Sequence, residues 1–464
     1  MATTTNDQAD RLKELGTAPI WRILLKYSLP AVVGTVISAI YNIIDSIVIG
    51  HAIDDPNVVA GIAVTFPVMN LATALGMLIG AGAATRVSIV LGQNDKKMAE
   101  MILGNCVILS VVIGLLYVTA FAIFLTPILT IFGASPNSLP YAREFLMWVL
   151  PGMVLMNITF SYNNVMRASG YPGKAMYTNM IGAGMNVILA PFFLFVFKWG
   201  IRGAAIATDI SMLVTAFFVM GHFFNKKNTL HFVKGTFRLH WKIIAGVLYI
   251  GMAPFLINVA GSAINAIVNN TLLKYGGDNA IASIVVFNRF ATIFVFIIIG
   301  ICQGMQPIVG YNYGSKRYNR LFRTLLLGAG TAVVITTIGT LVGQFAPRPI
   351  AQMFMQNEQQ IAVAVNCLKI VTLAFWMVGF QIVATNFFQA LGKAGISVFL
   401  SLTRQIIFMI PLLLFLPGMW GLDGVWAAFP ISDTAATLVS AAMLAWQIKK
   451  IKKNSLRIEK NTEN

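Results

Sequence analysis

Charge is scarce in this chain: Asp, Glu, Lys and Arg make up 11% of its 464 residues, and only 16 are acidic. With 57% hydrophobic residues and a mean hydropathy of +0.77, there is too little polar surface to wrap a soluble globule. Cysteine is nearly absent. Cys106, Cys302 and Cys367 lie far apart in apolar segments, which excludes a disulfide framework and CxxC chemistry. His51, His222, His231 and His240 show no metal-ligand spacing, so no metal centre is expected from them. The first residues, MATTTNDQADRLKELG, are polar and mixed in charge, and no signal peptide is expected. The excess of Lys and Arg, 33 against 16 acids, is scattered between apolar runs and forms no nucleic-acid motif.

What the chain does contain is long apolar runs. A membrane helix needs about 20 largely apolar residues. Such runs lie at 23–49, 58–91, 101–125, 142–166, 175–197, 203–224, 243–273, 280–311, 321–345, 361–388, 396–416 and 424–447. The expected fold is therefore an all-α polytopic membrane protein with twelve transmembrane helices. Lys and Arg cluster at one set of helix ends, among them Lys26, Lys96, Lys97, Arg167, Lys174, Lys316, Arg317 and the tail IKKIKK. The opposite ends hold only Arg143, Lys198, Arg202, Lys274 and Arg348. Because cytoplasmic loops are enriched in basic residues, both termini and the loop 225–242 are expected in the cytoplasm.

The two halves repeat at a shift of about 222 residues. NVVAGIAV at Asn57 matches NAIASIVV at Asn279, and GAATRVSIVLG at Gly82 matches GMQPIVGYNYG at Gly304. NVMRASGYPGK at Asn164 matches NFFQALGKAGI at Asn386, and WGIRGAAIA at Trp199 matches WGLDGVWAA at Trp420. Six is even, so the repeat is parallel, about an axis along the membrane normal. The expected organisation is a cytoplasmic segment (1–22), an N-lobe (23–224), a cytoplasmic linker (225–242), a C-lobe (243–447) and a basic cytoplasmic tail (448–464). Two lobes of this kind suit alternating access around a cavity between them.

Ionisable groups inside membrane helices are costly and mark ion paths, relays or buried pairs. Asp45 stands alone in the first run, with Ser38, Tyr41 and Asn42 on the same helical face. That pattern points to a reversible proton or cation site beside a polar stripe toward a cavity, where Ser38, Tyr41 and Asn42, with Asn163 and Asn179, are the expected substrate-binding residues; a water-solvated interfacial carboxylate is the plainer alternative. Asn179 and Asn186 in the fifth run, and Asn157, Thr159 and Asn163 in the fourth, either hold helices together or meet ligand. Arg289, Arg404 and Asp433 in the C-terminal half read as structural ion pairs. The 22 Met and 32 Phe could supply an adaptable binding wall.

These stretches resemble the multidrug and toxic compound extrusion (MATE) family, in its DinF-like and MepA-like branch. The similarity is carried by SLPAVVGTVISAIYNIIDSIVIG from Ser28, GAATRVSIVLGQND from Gly82, NVMRASGYPGKAM from Asn164, GICQGMQPIVGYNYGSKRYNR from Gly300 and NFFQALGKAG from Asn386. The resemblance implies two six-helix lobes forming a V, and export of organic cations or other amphiphilic drugs by antiport against H+, or Na+, with no cofactor. Asp45 matches the family's first-helix carboxylate, Asn186 the Asn of its NxxxD motif, and Thr208 the Thr of the same cation pocket. Ala190 stands where the aspartate of NxxxD would be, and Ser262 where the NorM-like branch carries a glutamate, so a C-lobe sodium site is not expected. Asp209, at a helix depth similar to Asp45, is a candidate replacement for the lost carboxylate, with Na+ at the Asp45 pocket as an option. The expected setting is a bacterial cytoplasmic (inner) membrane, the expected state a monomer, and the partners small molecules and lipid. A lipid or metabolite flippase of the same superfamily, and a membrane-embedded enzyme, are the competing readings.

Overall fold

The computed structural model describes residues 12–52 and 55–462, and every regular element among them is helical. Ten of these elements are long and apolar enough to cross a bilayer. Two contain a glycine at positive φ, Gly277 (φ 63°) and Gly421 (φ 57°), a conformation that breaks a helix and that glycine adopts without penalty. Divided there, the spans number twelve: α1 (Ile20–Ala52), α2 (Pro56–Gly92), α3 (Lys96–Ile123), α4 (Leu139–Ala168), α5 (Pro172–Val196) and α6 (Gly200–Phe224). The second set is α7 (241–276), α8 (278–314), α9 (Tyr318–Phe345), α10 (Glu358–Ala390), α11 (394–420) and α12 (422–462). Each of the twelve apolar runs read from the sequence falls largely within one of them.

The repeat is written into the turns as well as the helices. Asn94 (φ 62°) and Lys316 (φ 59°) end α2 and α8; Gly170 and Gly392 follow α4 and α10; Gly200 and Gly421 open α6 and α12. Short helices, Leu125–Ile131 and Pro347–Gln352, occupy matching places after α3 and α9. Large apolar side chains such as Phe217 (71% exposed) and Leu326 (74%) lie on the outer surface of the helices, as expected of a chain that spans a bilayer.

Packing departs from a simple division at the linker. The first half of α1 buries Ile23, Leu24 and Tyr27 against Ile298, Cys302 and Met305 of α8, in the C-lobe core. Conversely, Ile243, Ile244 and Val247 at the start of α7 join the N-lobe core with Ile79, Ala83 and Val87 of α2. Each lobe thus lends the base of its first helix to the other. Both straddling helices carry an internal proline, Pro30 in α1 and Pro254 in α7. A proline there removes one backbone hydrogen bond and leaves a place where the helix can bend.

The lobes meet where small residues let backbones touch. A Cβ on Gly82 would overlap the Val247 carbonyl, and one on Gly251 the Leu78 carbonyl. Likewise Gly300 and Gly304 lie against Val32 and Ser28, Gly92 against the Tyr311 carbonyl, and Gly314 against that of Ile89. Polar bonds reinforce the seam: Thr35 Oγ1 donates to the Phe296 carbonyl (3.1 Å), and Gln306 Nε2 to Thr85 Oγ1 (2.7 Å). All these contacts fall in the half of the helices nearest the Lys/Arg-rich ends. The 225–242 segment packs against the same side, with Asn105 Oδ1 accepting from the His240 N–H at 2.8 Å and Leu230 fully buried.

Candidate coupling site and central cavity

α1 turns Gly34, Ser38, Tyr41 and Asp45 toward α5 and α6, one helical turn apart in succession. Asn179 of α5 lies against Gly34, and Ser38 Oγ donates to the Gly34 carbonyl at 2.9 Å. One turn further, the Tyr41 and Thr208 hydroxyls are hydrogen-bonded, and the Asp45 carboxylate is close enough to act electrostatically on Tyr41. Asn186 Nδ2 donates to Thr208 Oγ1 (3.1 Å), which donates to the Ala204 carbonyl (3.0 Å). Three helices therefore bring Tyr41, Asn186 and Thr208 together beside Asp45. The Asp45 Oδ1 is buried and has no hydrogen-bond partner among the described residues. A buried carboxylate oxygen without a donor is expensive when charged, so the site favours taking up a cation or proton. The side chain of Asn42 lies outside the described residues.

Ala190, one turn from Asn186, packs with Phe193 and Ala207 in a small apolar cluster. Asp209 does not replace it within this group. Its carboxylate lies against Gly152 of α4, and it lines a crevice with Glu144, Arg202 and Trp148 on the far side of α6. The cause is rotation: adjacent residues on a helix are turned about 100° apart, so Thr208 and Asp209 face different neighbours.

Asn163 and Asn179 belong to a second network, around a residue the sequence reading grouped with the basic helix ends. Arg167 is only 6% exposed. Its Nη2 donates to Asn163 Oδ1 (2.9 Å) and Asn164 Oδ1 (3.1 Å), and its Nη1 to Gln303 Oε1 across the seam in α8. Asn163 Nδ2 in turn donates to the Ala175 carbonyl at 2.8 Å and reaches Asn179 Oδ1 at 3.5 Å. These amides are anchored to protein partners, which is a helix-joining arrangement.

In the C-lobe, Arg404 Nε donates to Asp433 Oδ1 at 2.6 Å, the expected buried pair. Arg289 is exposed and forms no ion pair among the described residues, so it does not join them.

A central cavity lies between the lobes, lined by residues that no sequence motif groups together. It has a volume of 340 Å³ and is lined from both lobes, chiefly by C-lobe helices. Met77, Phe160, Ile257, Val295 and Ile299 form an apolar wall. The polar lining comes from α10 with Gln381, Thr385 and Gln389 at helical spacing, α8 with Gln303 and Gln306, and α11 with Ser401, Arg404 and Gln405. Asp45, Tyr41, Asn186 and Thr208 are not among the described lining residues. The carboxylate and the cavity are separate, connected through α1, whose first half packs on cavity-lining α8 and whose second half carries Asp45.

A parallel six-helix repeat enclosing such a cavity is the architecture of a membrane transporter. The chain belongs to the MatE family, which it matches over residues 30–192 and 254–415, one segment in each lobe. It is similar to the multidrug export protein MepA of Staphylococcus haemolyticus, with 27% identity over 441 residues, covering 95% of this chain and 96% of that protein. MepA of Staphylococcus aureus strain MRSA252 is 25% identical over 430 residues, covering 92% and 93%. The fold superposes on a MATE crystal structure in a bent conformation with a TM-score of 0.91, at 22% identity and covering 96% and 99% of the two chains.

Proposed function

We propose that this protein is a secondary active exporter of amphiphilic small molecules, coupled by antiport to cation entry at Asp45. The observation that carries the reading is the buried Asp45 Oδ1 without a donor, beside Tyr41, Asn186 and Thr208, on the one N-lobe helix whose base sits in the C-lobe core. We take the coupling ion to be a proton: a carboxylate binds a proton by itself, whereas Na+ needs several oxygen ligands at once, and Ala190 stands where a second acid would supply them. Binding the proton removes an unpaired charge from α1 and lets its outer half repack on α5 and α6. Pro30 separates that half from the base on α8, so the change reaches the cavity wall at Val295, Ile299 and Gln303. Substrate and proton then oppose each other because each favours a different packing of α1, which is all that linkage requires.

The basic helix ends, with both termini and the 225–242 segment, are assigned to the cytoplasm of a bacterial inner membrane. On that assignment, the glycine and polar contacts of the seam lie at the cytoplasmic side. No cofactor or catalytic step is required, and a monomer holds every residue named. Purified protein in liposomes tests this directly: an imposed pH gradient should drive movement of a fluorescent amphiphile, and an equal sodium gradient at fixed pH should not. Movement with neither gradient, or only with sodium, contradicts the reading.

A further inference from the structure

The central cavity presents a polarity opposite to that of the Asp45 site. Among its described lining residues there is no Asp or Glu, and the one charged group is Arg404. Arg404 lies between two cavities: it lines the central one and a neighbouring one that also contains Asp433, whereas Asp433 lines only the second. A molecule in the central cavity therefore meets the guanidinium and not the carboxylate that neutralises it. The ion pair uses Nε alone; among the described residues, the guanidinium makes no other hydrogen bond. Its Nη donors remain available, and the side chain is 34% exposed.

The surrounding amides are also incomplete. Gln381 is 3% exposed, and its Oε1 has no partner among the described residues; the same holds for the buried Oε1 of Gln405. Buried amide oxygens without partners are uncommon, and both residues line the cavity. Whichever way each amide is turned, it offers a hydrogen-bonding group to whatever fills the space. The same cavity is also lined by Phe160, Ile257 and Ile299, suited to an apolar body.

We propose that the central cavity takes an amphiphile with an anionic oxygen head group, a carboxylate, sulfonate or phosphate, held by the Nη atoms of Arg404, with Gln381 and Gln405 bonding polar groups beside it. A guanidinium fork matches such oxygens in a way it cannot match an ammonium, which finds no counter-charge on this surface. The inference refines the exporter reading by naming the substrate class, and it concerns binding alone.

The test is equilibrium binding, measured by fluorescence anisotropy on the full chain in phosphatidylcholine nanodiscs with no ion gradient. The probes are one coumarin body carrying a carboxylate and the same body carrying a trimethylammonium. The carboxylate probe should bind with a Kd about tenfold lower, the factor one charge-assisted hydrogen bond supplies. The double variant R404Q/D433N, which leaves no unpaired charge behind, should lose that margin while holding the trimethylammonium Kd within about twofold. Phosphatidylglycerol added to the nanodiscs should leave the carboxylate Kd unchanged, as expected of a site for a diffusible amphiphile; competition by this lipid would overturn that source. Equal affinity for the two probes in the wild type, or preference for the cation, overturns the proposal even if the variant does not fold. So does a double variant that keeps the carboxylate preference. Because no gradient is applied, failure here is distinct from failure of coupling at Asp45.

Discussion

The Arg167 guanidinium of α4 and the Gln303 amide of α8 are hydrogen-bonded across the seam between the lobes. Arg167 is held in turn by Asn163 and Asn164, and Gln303 also lines the central cavity. The internal repeat places Gln389 where Arg167 would recur, so the link exists on one side only.

A charged hydrogen bond of this kind contributes about 1.5–3 kcal/mol. Arg167→Leu should weaken closure at the basic ends and lower the unfolding temperature. Spin labels on cysteines at Lys97 and Lys316, exposed positions on opposite lobes, should show a broader and longer distance distribution in the variant. An unchanged distribution with unchanged melting would mean that the link does not hold the lobes together.

The glycine contacts make a sharper steric prediction. Gly251→Leu would drive a side chain into the Leu78 backbone, where no rotamer change can relieve it. It should cost folding yield or trap the lobes apart. Gly330, with nothing near its missing Cβ, is the control: Gly330→Ala should stabilise α9 by about 0.5–1 kcal/mol. Equal behaviour of the two variants in thermal melts would remove the seam from the account.

At the opposite ends, Asp55 caps α2 by accepting from the Asn57 backbone N–H at 2.9 Å and receives the Tyr141 hydroxyl at 3.0 Å. The Asn57 backbone bond, with help from Tyr141, holds its carboxyl below the usual carboxylate range. A depressed carboxylate contributes stability that is complete above its unfolded pKa and lost as pH falls through the folded one. The stability difference between wild type and Asp55→Ala should therefore stay constant from neutral pH down to the ordinary carboxylate range and shrink only in stronger acid. A difference that changes near neutrality would contradict the capping geometry.

Much of this architecture is legible in the sequence because the bilayer imposes it. A run such as 101–125 can only be a span, and Trp199-Gly200 against Trp420-Gly421 announces a repeated turn that the structure shows with the same positive φ. Spacing along α1 places Tyr41 beside Asp45, but grouping Asn186 and Thr208 with them required the family resemblance, since spacing along one helix says nothing of its neighbours. The exchange of the α1 and α7 bases between lobes is a matter of tertiary packing that no local pattern encodes. Arg167 reads from the sequence as one of the basic helix ends, because position near a helix end carries no information on burial. The cavity escaped notice because its lining is neutral amides: Gln381, Thr385 and Gln389 do recur at helical spacing, but attention to charged residues passes over them.

Asp209 gives a test of how far depth along a helix can stand in for contact. Its carboxylate faces Gly152 and not Asn186, so Asp209→Asn should retain gradient-driven transport. Moving the acid to Ala190 should then bring no gain. Loss of coupling in Asp209→Asn at normal expression would restore it to the cation site.

The central claim is that Asp45 couples transport to the proton gradient. Asp45→Asn keeps the side chain's shape and removes its titratable charge. In liposomes with matched protein density, the variant should bind substrate as the wild type does and exchange it down its own gradient, while an imposed pH gradient drives no net movement. Full pH-driven transport by the variant would contradict the account.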